Sequence, residues 1–227
     1  MGRVAPPVMA GFAVLLSGCQ VDALAPLKLS DIEKSVTAKQ STGLTARLLL
    51  TFTSKTWCED MGASLIVTLK GSGLDMSPVA CAPDPDSTNW HGELRMPVRL
   101  ASVSEGENTG DLASIAVKPI ASSPGSLSLV MRLDTPRLTA AREKLLSLPA
   151  AQDTDDARIF GLSLTFMLKN DTAKPAFLAV GAMTTEMTGD LELPSGGTRS
   201  ITLSQAGIDK LLHEQSLEAF SLRYDPQ

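Results

Sequence analysis

Among the side chains able to do chemistry, the densest group is Asp84, Asp86, His91 and Glu93, three carboxylates and one of the chain's two histidines. If Asp84 and Asp86 turned back on His91, they would present oxygen and imidazole ligands to a divalent cation. None of the ligand spacings of zinc sites is met, and a polar loop feeding an edge strand accounts for the same residues. No metal and no other cofactor is expected. Asp153, Asp155 and Asp156 begin like a calcium loop but lack its glycine and its later glutamate, which leaves a solvated acidic linker. Serines are plentiful, yet the chain has neither a G-x-S-x-G elbow nor an S-x-x-K set in a suitable context. Gly196-Gly197 lacks the Lys-Ser/Thr or the spaced third glycine of a phosphate cradle. His213 falls beside Leu211 and Leu212 on a predicted helix, where a structural histidine is the default. No catalytic residue is assigned, and the chain is not read as an enzyme.

The three cysteines carry a different chemistry. Cys58 and Cys81 form an even pair, which in an exported chain reads as a disulfide. Such a bridge is worth roughly 3 kcal/mol by loop-entropy models. Two buried free thiols are the alternative, and a metal site is not favoured because no histidine or third cysteine sits at ligand spacing around the pair.

The compartment is set by the amino terminus. Met1-Gly2-Arg3 is followed by an uncharged apolar run from Val4 to Leu16, the layout of a signal peptide. That run is too short to cross a hydrocarbon core of about 30 Å, which needs roughly 20 apolar residues. It closes in Leu16-Ser17-Gly18-Cys19, which resembles the lipobox of bacterial lipoproteins. The resemblance implies alkylation of the Cys19 thiol with diacylglycerol, cleavage before Cys19 and acylation of the new amino group. One acyl chain alone anchors only marginally, so this combination would hold the protein on a membrane. Gln20, rather than aspartate, follows the cysteine. By similarity to enterobacterial sorting, that implies the outer membrane, facing the periplasm.

Composition narrows the partners. The net charge is −5 and no Lys/Arg run occurs, so nucleic acid is not expected. Aromatics make up 4%, with two Trp and one Tyr, too few for stacking platforms. With 43% hydrophobic and 20% charged residues the chain has the makings of a folded core.

The expected organisation is a signal peptide at 1–18, a lipidated tether and short helix at 19–40, and a globular domain at 41–227. Ser30 is placed to cap the short helix, with Glu33 completing a capping box. Strands are expected at 45–53, 76–82, 90–103, 112–120, 126–133, 158–169, 176–187 and 200–203. Residues 56–70 are ambiguous, with Trp57, Met61, Leu65 and Leu69 at the helical spacing that is favoured but Leu65 to Leu69 equally suited to a strand. Pro97 marks the strand at 90–103 as an edge. Ser122-Ser123-Pro124-Gly125 makes a hairpin turn. Thr135-Pro136 opens a helix through Leu148, Asn170-Asp171-Thr172 joins two antiparallel strands, 189–197 is a loop, and Ser204 caps a last helix. Strand runs broken by isolated helices indicate an α+β fold of antiparallel sheet with a few packed helices. An arrangement of two similar halves, 41–134 and 135–227, is open to the same pattern.

The opening as a whole, from Leu16 through Cys19 to Pro26-Leu27-Lys28-Leu29-Ser30-Asp31-Ile32, resembles a family of uncharacterised lipoproteins of tailed phages and enterobacterial prophages. Members carry two further cysteines in the first half, as Cys58 and Cys81 stand here. The resemblance implies context without a known activity. The leading expectation is a non-enzymatic binding module of the cell envelope, held to the membrane by its lipid and engaging an envelope protein, with receptor masking in superinfection exclusion as the specific form. A carrier of a small apolar ligand, its pocket lined by some of nine methionines, and a periplasmic hydrolase are the alternatives.

Overall fold

A computed structural model of the chain describes residues 21–52, 54–71, 77–103, 111–137, 140, 162–186 and 188–224. The strand at 90–103 shows why the sheet forms. In β4 (Trp90–Ser102), Leu94, Met96, Val98 and Leu100 are buried while Arg95 and Pro97 between them are exposed, the two-residue period of a strand with one covered face. The ambiguous stretch after residue 54 is helical, as expected. In α2 (Lys55–Gly71), Cys58, Met61, Leu65 and Thr68 are buried at alternating spacings of three and four. Ser204 caps α3 (Gln205–Glu214) by accepting from the Gly207 amide, and Ile208 and Leu211 are its buried face. Residues 135–137 and 140 are helical, whereas the rest of the helix expected there lies outside the described residues.

The other strands are β1 (Val21–Lys28), β2 (Thr42–Phe52), β3 (Ala80–Pro83), β5 (Ala113–Pro119), β6 (Ser126–Leu133), β7 (Leu162–Lys169), β8 (Ala176–Val180), β9 (Gly189–Leu193), β10 (Thr198–Thr202) and β11 (Ser216–Tyr224). They make one 11-stranded sheet in the order β10-β7-β1-β2-β4-β5-β6-β11-β8-β9, with β3 added alongside β4. Beyond its last strands the path nearly closes into a barrel. Thr184, between β8 and β9, bridges to Leu203 just past β10, and the Thr185 amide donates to the Thr202 carbonyl at 2.8 Å. α1 (Leu29–Thr37), α2 and α3 all contribute to a single apolar cluster with the covered face of the sheet, through Leu29 and Ile32, Met61 and Leu65, and Ile208 and Leu211.

The class is α+β, but several expectations change. The sheet is mixed, because β1 pairs β7 and β4 pairs β5 in parallel. The stretch 135–227 does not form a second half. Its strands flank the β1-to-β6 block on both sides, β7 and β10 on one and β11, β8 and β9 on the other. β7 and β8 are sequential yet unpaired, each finding its partners elsewhere. β4 is interior rather than an edge. Pro97 opposes Thr45 of β2 and sits where β3 pairing has ended at Glu93 and β5 pairing begins at Arg99, so its missing N–H interrupts no other ladder. Residues 189–193, read as loop, form the short strand β9, and residues 21–28, read as tether, form a strand between β2 and β7.

The start of α1 is also capped differently. Ser30 lies inside the first turn, and Lys28 at the cap position makes no side-chain cap bond. The Asp171 carboxylate instead accepts from both the Ser30 amide (2.9 Å) and the Ser30 hydroxyl (2.7 Å). A carboxylate at a helix N-terminus satisfies free donors and meets the positive end of the helix dipole.

Candidate functional site

His91 and Asp84 do meet. The β3–β4 hairpin carries both, and Nε2 of His91 stands 3.3 Å from Oδ2 of Asp84. On its other side, Nδ1 of His91 lies 3.5 Å from the Thr51 hydroxyl, Thr51 being its register partner on β2. An acid, an imidazole and a hydroxyl therefore stand in a row on the outward face of the sheet. In a hydrolase such a row would pass a proton from the hydroxyl to the imidazole.

The rest of the geometry turns Asp84 toward a structural task. Its carboxylate accepts from the Ser87 hydroxyl (2.5 Å) and the Asp86 amide (3.0 Å), and its own amide donates to the Asn89 carbonyl. The Ser87 hydroxyl first, and then the Asp86 amide, hold the Asp84 carboxyl below its ordinary range. This is an Asx-type turn that closes the hairpin.

Glu93 faces outward with His91 but belongs to a different cluster. It bridges Arg47 at 2.6 Å and Arg95 at 3.3 Å, two arginines directly opposed across β2 and β4. The Arg47 hydrogen bond is the main reason its carboxyl is held low, and Glu93 in turn raises Arg47. Asp86 contributes its backbone amide to the turn while its side chain is in an exposed residue. The four residues therefore divide between a turn and an ion-pair cluster, and among the described residues no three His, Cys, Asp or Glu side chains gather as metal ligands.

Cys58 of α2 and Cys81 of β3 form the expected disulfide. It fixes α2 to the end of the sheet where β2 finishes and β4 begins. Packing there is close. A Cβ on Gly92 would stand 2.7 Å from the Phe52 ring, 2.9 Å from Val79 and 3.2 Å from the Cys58 sulfur. Trp57 stacks edge-on against Phe52 at 5.3 Å, and the Lys55 ammonium lies 6.0 Å over the Trp90 ring. Cys19, Asp153, Asp155 and Asp156 lie outside the described residues. His213 is exposed in the last turn of α3, without any contact to the His91 group among those described.

Sequence reasoning missed Thr51, Ser87 and the two arginines as neighbours of His91 and Glu93, because cross-strand register decides those contacts. It also missed Asn170. Buried completely, Asn170 donates to the Lys174 and Leu193 carbonyls and accepts from the Thr172 amide and hydroxyl. No family model, curated protein or solved structure matches the chain.

Proposed function

We propose that this chain is a lipid-anchored lipoprotein of the bacterial cell envelope, of bacterial or phage origin, whose domain is a non-enzymatic binding module for an envelope protein. The observation that carries the reading is the thiol at Cys19. Of three cysteines, Cys58 and Cys81 are consumed by each other, so the one left free is the one at the end of Leu16-Ser17-Gly18-Cys19. The disulfide itself fits an oxidising compartment such as the periplasm. The resemblance of the opening to phage and prophage lipoproteins adds receptor masking as the specific form of binding, on the outer membrane with the domain facing the periplasm.

A hydrolase is the second reading, favoured by the Asp84–His91–Thr51 row. It ranks lower because Asp84 is engaged in closing its own turn and the His91–Thr51 approach is at the limit of a hydrogen bond. The carrier reading drew on the methionines, and Met61, Met96 and Met131 are packed into the core. Crosslinking of the tagged protein in a Gram-negative envelope, with mass spectrometry of what is captured, tests the binding module. One outer-membrane protein recovered in near-equal amount supports it, and recovery of nothing above background counts against it.

A further inference from the structure

The lipoprotein reading, on which this inference rests, acquires a geometric consequence from β1. Cys19 is two positions before Val21, where a strand hydrogen-bonded on both sides begins. Two residues span at most about 7 Å whatever their conformation. The headgroup layer of one leaflet is roughly 5–8 Å thick. A lipid on Cys19 would therefore hold the rim of the sheet at the headgroups, with no tether to let the domain stand off.

The residues at that rim suit such a position. Val21 opposes Leu50 of β2, and two residues on Phe52 opposes Trp90, so the start of β1, the end of β2 and the start of β4 share one end of the sheet. α2 begins at the same end with Lys55 and Trp57. Both tryptophans of the chain are thus at this rim, each half-buried, and Lys55 is exposed over the Trp90 ring. Tryptophan partitions to the membrane–water interface because its ring is apolar and its N–H is wet, and lysine can lay its stem on apolar surface with the ammonium in the headgroups. Asp84 and Asp86 in the adjoining turn, with Glu59 and Asp60 on α2, add negative charge that an anionic surface would repel. We propose that the rim formed by Lys55, Trp57, Trp90 and the start of β1 rests in the headgroup layer of a zwitterionic phospholipid bilayer.

Because Cys58 and Cys81 are bonded to each other, Cys19 of the mature chain beginning at that residue is open to selective coupling with a maleimide-bearing phospholipid. The coupled protein is placed on phosphatidylcholine vesicles whose acyl chains are brominated near the headgroup, and attachment is verified by flotation. In a Trp57→Phe variant Trp90 is the sole tryptophan, and in Trp90→Phe it is Trp57, so either variant that folds reports the rim. The expected result is a blue shift and a loss of emission relative to unbrominated vesicles. Unchanged emission from floated protein would overturn the proposal. Since attachment is synthetic, that outcome says nothing against natural lipidation, whose own test is acyl labelling in cells.

Discussion

Asn170 shows how much one buried amide holds at the closed end of the sheet. Its side chain satisfies carbonyls from the β7–β8 loop and from β9, while its backbone exchanges bonds with Gly196 and Gly197 before β10. Asn170→Ala takes the side-chain donor from the buried Leu193 carbonyl, a loss worth about 1–3 kcal/mol, while the Lys174 carbonyl keeps the Thr172 hydroxyl, so urea unfolding of that variant should show a loss of that size. Gly92→Ala should cost about 1–3 kcal/mol by overpacking against Phe52, Val79 and Cys58, and a neutral result would mean that this corner yields. Acid acts on another set of residues. Burial raises Asp171, but the Ser30 hydroxyl and amide, its own amide and the Lys28 charge together outweigh it and leave its carboxyl low; Asp84 and Glu93 are also held low, by Ser87 and Arg47 first. A depressed carboxyl adds stability that is complete above its ordinary value and drains away as pH falls through the folded one. Melting temperature should therefore be flat near neutrality and begin to fall below about pH 4.5, the ordinary glutamate value. Asp171→Asn should make that fall shallower while lowering the neutral-pH value modestly.

Helices and strands differ in how openly the sequence declares them. α3 and β4 were legible because their burial follows one period throughout, and the β5–β6 hairpin because turn chemistry bounds it, its own alternation breaking at Ile115-Ala116-Val117 and at Ser128-Leu129. α2 keeps the helical period, although Leu65 to Leu69 also suited a strand. β11 was not, because its pairing with β6 slips between Glu218 and Phe220, so Ala219 and Phe220 are both buried and the alternation breaks. β1 carries Pro26 and alternates poorly, its covered state coming from neighbours far along the chain, β2 and β7. The cap on α1 was hidden for the same reason, since Asp171 arrives from 141 residues away. Within the candidate site, the disulfide was readable from the even pair of cysteines, whereas the meeting of His91 with Thr51 depends on the register between β2 and β4. At this scale the disulfide is the clearest test. Cys58→Ser with Cys81→Ser should lower stability by roughly 3 kcal/mol, and reductant should bring the unsubstituted protein down to the same melting temperature. A variant that melts alike with and without reductant, but below the reduced parent, would show that packing of the sulfurs matters more than the bond.

Taken whole, the molecule is a nearly closed mixed sheet whose first strand lies in its interior, directly after the segment that resembles a lipobox. A chain that enters its fold so soon after Cys19 has little freedom to present its domain away from whatever holds that cysteine. Under the proposed anchoring, the surfaces left open to the proposed partner are the far end and the outward face, which carries the Arg47–Glu93–Arg95 cluster. All of this depends on the anchor. The most direct measurement is growth of cells expressing the full chain with labelled palmitate, followed by isolation of the protein and mass analysis of its amino-terminal peptide. The expected result is label on a chain beginning at Cys19, absent from Cys19→Ala. A mature protein without label, or a Cys19→Ala variant labelled as strongly as the parent, would contradict the account.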